Sequence, residues 1–167
     1  LRPYHKLYDP MCGSGTILIE GAMMAANIAP GLNRRFSAER FGVIPRNVWE
    51  EERERARSLE RPCDDFMAYG SDLDAKAIEI AKVNAERAGV ADKISFKVAD
   101  VAKFSPETER GTLICNPPYG ERLLDLRAAE ELYKVMGEKF RREKGKSYTV
   151  ITPDDDVIGT SERFSLD

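Results

Sequence analysis

Histidine and tryptophan each occur once in this chain, at His5 and Trp49, and cysteine three times, at Cys12, Cys63 and Cys115. A hydrolytic triad would have to rest on His5, which precedes the first strand pattern and lies far in sequence from any suitable nucleophile. The cysteines are odd in number, far apart and without CxxC spacing. They support neither a disulfide framework nor a thiolate zinc site, and they fit a reducing cytoplasm. Cys12 and Cys115 read as small packing residues beside tight turns. No apolar run approaches the ~18 residues of a membrane-crossing helix, and the opening "LRPYHKLYDP" lacks the charged and apolar regions of a targeting peptide. The expectation is a soluble, untargeted chain with no membrane partner. Positive charge is also short: 26 Lys and Arg against 29 Asp and Glu give a net charge of -3, so a polynucleotide would have to be recognised through a local patch or with help.

What is present is a regular alternation over 167 residues, a length suited to one domain with a real core. "HKLYDP" predicts a first strand ending at Asp9, and "TILIEGAMMAANIA" a helix apolar on most sides and therefore buried. "FMAYGSD" predicts a second strand ending at Asp72. The following segment has Asp74 as its cap, Ile78, Ala81, Ala85 and Ala88 on one face, and Gly89 just past its end, the pattern of an amphipathic helix. "KISFKVAD" and "TLICNPP" predict a third and fourth strand. "AAEELYKVMGEKFRREKG" predicts a helix with Ala129, Leu132, Tyr133, Met136 and Phe140 on one face, and "SYTVITPD" a fifth strand. Strands alternating with helices imply a parallel sheet with helices on both faces. Residues 30–61 form an insertion in this scheme. It carries Arg34, Arg35, Arg40 and Arg46, then a mixed-charge helix that Asn47 would cap, and Trp49 to anchor it to the core. Its charges are most simply a solvated face, with the arginine cluster as the best local phosphate binder.

In such sheets ligands sit beyond the carboxyl ends of the strands. Those ends close on a polar series: Asp9, Asp72, Asp100 and Asn116. Between the first strand and the first helix lies "DPMCGSGT", residues 9 to 16, where Gly13 and Gly15 permit positive φ and close approach of a ligand to the backbone. The loop is neither a Walker loop nor a clean GxGxxG. It suits a nucleoside with an amino-acid tail better than a phosphate. Asp72 is placed to accept hydrogen bonds from ribose hydroxyls, Leu73 to pack on an adenine face and Asp100 to accept from the adenine amine.

In order and spacing, "DPMCGSGT", "GSDLD", "VADV" and "NPPYGER" resemble the motifs of class I S-adenosylmethionine-dependent methyltransferases. "NIAPG" and the complete "NPPYGER" are most similar to the branch of RNA guanine-N2 methyltransferases that carries an N-terminal THUMP domain. The resemblance spans residues 6 to 153. It implies an α/β, Rossmann-like, doubly wound and mostly parallel sheet, with residues 1–167 as one methyltransferase domain. It also implies S-adenosyl-L-methionine as methyl donor, S-adenosyl-L-homocysteine as product and no metal. The cofactor residues would be Asp9, Pro10, Met11, Cys12, Gly13, Gly15, Thr16, Asp72, Leu73, Asp100 and Val101. The acceptor would be a nucleobase amine in RNA, ribosomal before transfer RNA, with Asn116, Pro117, Pro118 and Tyr119 as the catalytic run.

The chemistry of that run follows from the acceptor. An exocyclic purine amine is a poor nucleophile because its lone pair is delocalised into the ring, so geometry has to activate it. The Asn116 side-chain oxygen and the Pro117 carbonyl would accept its two protons and stabilise developing positive charge. The prolines limit reorganisation, and Tyr119 would stack on a base taken out of its helix or loop. The resemblance implies a THUMP-type RNA-binding domain in the full-length protein, and the antiparallel hairpin usual after the fifth strand is not evident in "DDDVIGTSERFSLD"; the expectation is a catalytic-domain fragment, or a chain whose ends differ from the family. The same tetrad also serves adenine in DNA and glutamine in protein, and a non-catalytic adenosine-binding remnant would keep the fold without needing NPPY. The "GER" extension favours RNA.

Overall fold

The computed structural model describes residues 6–106, 111–118, 126–140 and 146–150. Five strands, β1 (Lys6–Asp9), β2 (Ala68–Asp72), β3 (Ile94–Val98), β4 (Gly111–Cys115) and β5 (Lys146–Val150), form one sheet in the order β3-β2-β1-β4-β5. Every pairing is parallel, with Tyr8 of β1 opposite both Tyr69 of β2 and Leu113 of β4. The chain steps outward from β1 to β3, then returns to the other side of β1 to lay down β4 and β5. This reversal opens a crevice at the carboxyl ends of β1 and β4, the place where such sheets bind ligands.

Among the described residues there are four α-helices: α1 (Thr16–Ala26), α3 (Ala75–Ala88) and α4 (Leu126–Lys139) supply core residues against the sheet, and α2 (Arg46–Ser58) belongs to the insertion. Successive residues of a strand face opposite sides, and β1 divides the core accordingly. Leu7 packs with Leu18 and Ala22 of α1, Ile78 and Ala85 of α3, and Phe66. Tyr8 faces the other way and packs with Leu113, Cys115, Val101, and Met136 and Phe140 at the end of α4. Aromatic rings tie that second side together: Tyr8 stacks on Tyr69 at 5.2 Å, and Phe104 meets both Tyr8 and Phe140 edge-on.

The helix ends follow the chemistry of their residues. Asp74 accepts from the Lys76 N–H at 2.9 Å and starts α3, while Gly89 at φ 74° ends it. There the Val90 N–H closes on the Ala85 carbonyl, and Val90 itself is buried. Two readings need correction. The first helix stops at Ala26, because Asn27 adopts φ 55° and the Ile28 N–H turns back to the Met23 carbonyl, a left-handed cap that asparagine tolerates. Its burial is as expected at Leu18, Ile19, Gly21, Ala22 and Ala26, while Met24 on its outer side is 67% exposed. Asn47 does not cap α2. The helix starts at Arg46 behind Pro45, whose φ of -56° is already helical, and the Asn47 side chain instead donates to Glu51 one turn on.

The insertion packs partly on itself. Trp49 stacks on Phe36 with ring centres 6.1 Å apart, Arg34 lies 4.8 Å over the Phe36 ring, and Arg53 bonds both the Glu39 carboxylate and the Arg34 carbonyl. Trp49 therefore holds the insertion to its own turn. Two hydrogen bonds fasten its end to the sheet-bearing body: Asn27 Nδ2 donates to the Leu59 carbonyl, and the Arg61 N–H to the Ala26 carbonyl. None of the α2 side chains is fully buried. Residues after 150, where the question of a final hairpin falls, lie outside the described residues.

Candidate functional site

The loop that leaves β1 is fixed from below by hydrogen bonds to β2. The Cys12 N–H donates to the Ser71 carbonyl at 2.9 Å, and the Ser71 hydroxyl lies 3.4 Å from the Pro10 carbonyl. The Gly15 N–H then closes a tight turn on the Cys12 carbonyl at 2.8 Å. Gly13 and Gly15 have φ of 51° and 81°, the left-handed region that only glycine occupies without strain. Their surroundings differ. A Cβ on Gly15 would sit 3.1 Å from Ala81 Cβ and from the Phe96 ring, whereas one on Gly13 would meet nothing within 4 Å. Gly15 serves helix–sheet packing, and Gly13 keeps an open space at the crevice. Because Gly15 is the N-cap of α1 and offers no side-chain bond, the first amides of that helix are left to other acceptors.

Asp72, at the end of β2, is half-buried and accepts two backbone bonds, from the Gly13 N–H at 2.9 Å and the Asp74 N–H at 3.0 Å. It thereby sets the height of the glycine loop. A carboxylate has about four lone-pair sites, so capacity for a ligand's hydroxyls remains. Leu73 beside it is 73% exposed. At the end of β3, Asp100 is exposed and caps the turn Val101–Lys103 by accepting from the Ala102 N–H at 2.8 Å, with Val101 buried beneath. The Ala99 N–H reaches the Asp72 carbonyl and keeps these two strand ends together.

Asp9 is the electrostatic centre of the site. It is 1% exposed, accepts from the Met11 N–H at 3.1 Å, and is pushed up from 3.8 to about 7 by burial. The Met11 bond opposes that rise and the Asp72 charge adds to it. Cys12 and Cys115 are both pushed up to about 12 by burial and by the nearby Asp9 charge, with Asp72 adding to the effect on Cys12. Both thiols stay protonated near neutrality and serve packing, since thiolate is the reactive form.

Beside this loop, β4 runs out through buried Cys115 to an exposed Asn116, a fully buried Pro117 and a half-buried Pro118. The buried proline acts as a peg that places the preceding amide at the open end of the strand. Because β1 and β4 are direct neighbours, Asn116 and the Asp9 loop flank the same crevice. Tyr119 and the rest of its motif lie outside the described residues. Among the described residues, no group of three or more His, Cys, Asp or Glu is arranged to hold a metal ion, and no helix is long and apolar enough to cross a membrane.

Sequence reasoning missed the supports of the loop. Asn84, from the middle of α3, donates to the Ser14 carbonyl at 3.1 Å across 70 residues of sequence, and Phe96 closes under Gly15. Neither carries a local motif. Only the pairing of α3 and β3 with β1 and α1 brings them there.

With this geometry in view, comparison with known proteins is specific. A family model described as the RMKL-like methyltransferase domain (UPF0020) matches residues 1–161. A "Ribosomal RNA large subunit methyltransferase K/L" of Shewanella baltica is 49% identical over 143 residues, covering 83% of this chain. The chain spans only 20% of that protein's length. Among solved structures, "SMU.472, a putative methyltransferase complexed with SAH" superposes with a TM-score of 0.85 at 38% identity, covering 98% of this chain and 43% of that one. A protein of Listeria monocytogenes described as "a predicted N6-adenine-specific DNA methylase" gives a TM-score of 0.85 at 42% identity, over 99% and 43% of the two chains.

Proposed function

The chain belongs to the family of RMKL-like methyltransferase domains, and from that premise we propose that it transfers a methyl group from S-adenosylmethionine to RNA. The acceptor in this reading is the exocyclic N2 amine of a guanine, and the RNA is ribosomal. One observation carries it: the Asn116-Pro117-Pro118 run stands at the end of β4, across the β1/β4 crevice from a glycine loop with open space at Gly13.

The residues present fit the cofactor. The space at Gly13 and the uncapped amides of α1 suit a backbone-hugging amino-acid tail with its carboxylate. Asp72 would take the ribose hydroxyls, the exposed Leu73 face the adenine ring, and Asp100 the adenine amine, with Val101 forming the floor. When bound, S-adenosylmethionine supplies a methyl group on a positively charged sulfur. Buried Asp9 lies behind the loop and favours that positive charge once it ionises.

The chain's contribution to the chemical step is positional. The Asn116 side-chain oxygen and the Pro117 carbonyl accept hydrogen bonds from the two amine N–H groups, which turns the nitrogen lone pair toward the methyl carbon. Methyl transfer would form a carbon–nitrogen bond as the sulfur–carbon bond breaks, and the surplus proton of the amine would pass to water at the exposed face of Asn116. The amide cannot act as a base, and none is needed, because the methylated nitrogen is strongly acidic until it loses that proton. Pro117 and Pro118 hold the acceptors in place before the base arrives, so little reorganisation remains. Tyr119 provides the stacking surface in this scheme.

The test is to supply the protein with isotope-labelled S-adenosylmethionine and, in parallel reactions, ribosomal RNA, DNA and protein, digest each to its nucleosides or amino acids and identify the labelled one by mass spectrometry. N2-methylguanosine is expected. Label in N6-methyladenine of DNA, as the description of the Listeria relative suggests for that protein, or in a protein glutamine, would overturn the acceptor assignment while leaving the chemistry.

A further inference from the structure

The segment between α1 and α2 carries charge and apolar surface that methyl transfer does not use. Residues 33–46 hold four arginines, Arg34, Arg35, Arg40 and Arg46, against one acid, Glu39, and no lysine, in a chain of net charge -3. Glu39 is already engaged, because its carboxylate accepts from the Phe36 N–H and from the Arg53 side chain of α2. Arg46 pairs with Glu50 at 3.1 Å, but the two side chains are 87% and 63% exposed, and such a pair in water is weak and readily exchanged. Arg35 and Arg40 are exposed and form no ion pair among the described residues. Between Arg40 and Arg46 the chain also displays apolar side chains, with Phe41 72%, Val43 84% and Ile44 42% exposed.

An aromatic ring flanked by exposed arginines is the pattern that grips single-stranded nucleic acid: guanidinium groups on phosphates and a base stacked on the ring. A phosphate backbone also supplies the charge that this patch lacks. The root of the insertion lies at the far end of α1, eleven residues from the glycine loop, a distance of about 16 Å at 1.5 Å per residue. The patch is thus too far at its root to hold the reacting base, and it suits the strand that flanks it. We propose that residues 33–46 form an RNA-docking element, with Arg35 and Arg40 on phosphates and Phe41 stacked on an unpaired base beyond the target nucleotide. This inference rests on the RNA reading above.

The experiment measures binding of the protein to a dye-labelled single-stranded oligouridylate by fluorescence anisotropy across a salt series. Unfolding midpoint and S-adenosylmethionine affinity are measured alongside, and methylation of ribosomal RNA is followed in parallel. Arg35→Glu/Arg40→Glu is expected to weaken binding roughly tenfold or more and to flatten the salt slope by about 1.4, the value for two phosphates on a single strand. Arg35→Gln/Arg40→Gln should move both in the same direction, and serves if charge reversal disturbs folding. Phe41→Ala should weaken binding by roughly five- to a hundredfold and Phe41→Trp should retain it; the arginine variants and Phe41→Ala should raise KM with little change in kcat, while Phe41→Trp keeps the parental KM. Folded variants that bind oligouridylate and methylate RNA as the parent does would overturn the docking element and leave the function standing. A patch that retains anionic vesicles or a protein partner while ignoring oligouridylate would overturn it in favour of that other surface. A parent that methylates DNA or protein and does not bind RNA would remove both readings together.

Discussion

At the scale of single residues, the two glycines of the loop divide labour in a way that substitution can separate. Gly13→Ala places a methyl group in open space at φ 51°, so it should cost only about 1 kcal/mol of folding stability. The same methyl lies where a ligand would approach, and calorimetry should show S-adenosylmethionine bound at least roughly tenfold more weakly, one steric clash's worth. Gly15→Ala adds crowding against Ala81 and Phe96 to a φ of 81°, and urea denaturation should show a loss of about 2 to 3 kcal/mol. Equal effects of the two on stability would refute this division. Asp9 offers a second test, through pH. Its carboxyl sits at about 7 in the folded chain against 3.8 as the ordinary value, so the folded state holds the proton more tightly. The stabilising effect is complete below about pH 4 and is lost as pH rises through 7, when the buried group must ionise. Asp9→Asn removes that slope. The parent should therefore lose stability relative to Asp9→Asn by roughly 1 kcal/mol per pH unit between about 4 and 7; parallel curves for the two proteins would show that Asp9 ionises normally.

At the scale of elements, the contrast lies between α3 and α2. Asp74, Gly89 and a buried face at Ile78, Ala81 and Ala85 bind α3 into the core. α2 has no fully buried side chain, and the Trp49 indole N–H is buried without a hydrogen-bond acceptor among the described residues. Regions with few buried contacts open locally at lower free energy than the core. Hydrogen exchange should therefore run faster in residues 46–58 than in 75–88. Trp49→Ala should speed exchange in the first segment without moving the second, whereas Trp49→Phe should keep the stack on Phe36 and leave protection equal or better, since it removes an unpaired donor. Uniform protection across both helices would contradict this. The same contrast explains what could be read from residues alone. Strand ends at Asp9 and Asp72, the caps of α3 and the apolar face of α4 were all legible, because each rests on local pattern. The stop at Asn27, the exposure of Met24 and the start of α2 behind Pro45 were not, because each depends on which backbone conformation wins among neighbours of similar propensity. Trp49 suggested an anchor to the core, and its ring lies instead on Phe36, a contact set by the fold of the insertion itself. At the site, the glycine loop and the polar strand ends were legible, while Asn84 and Phe96 reach the loop only through tertiary pairing.

At the scale of the whole molecule, a parallel sheet whose strand order reverses at β1 puts two machines on one crevice: a loop that would hold the cofactor, fastened to β2 through Ser71 and Asp72, and a proline-pegged amide at the end of β4. They share the sheet but not their hydrogen bonds to ligand, so they should fail separately. Asp72→Ala removes the acceptor of the Gly13 N–H together with the proposed ribose contact, and should weaken S-adenosylmethionine by roughly 1 to 3 kcal/mol. Asn116→Ala should leave cofactor affinity and the unfolding midpoint close to the parent, because Asn116 is exposed and the buried Pro117 beside it still seats the turn. Its effect belongs to the moment of attack, so the single-turnover rate with saturating cofactor and RNA should fall by roughly a hundredfold or more, the scale of losing one preorganised acceptor. Tyr119→Ala should act mainly on RNA affinity, with Tyr119→Phe mild if stacking is what counts. A turn with no catalytic part predicts the opposite pattern for Asn116→Ala: stability and cofactor binding drop together, and methyl transfer per folded, cofactor-loaded molecule stays at the parental rate. Thermal unfolding, cofactor titration and single-turnover rates on the same preparations distinguish the two, and a parental rate in a folded, saturated Asn116→Ala protein would rule out the amide as the group that orients the acceptor.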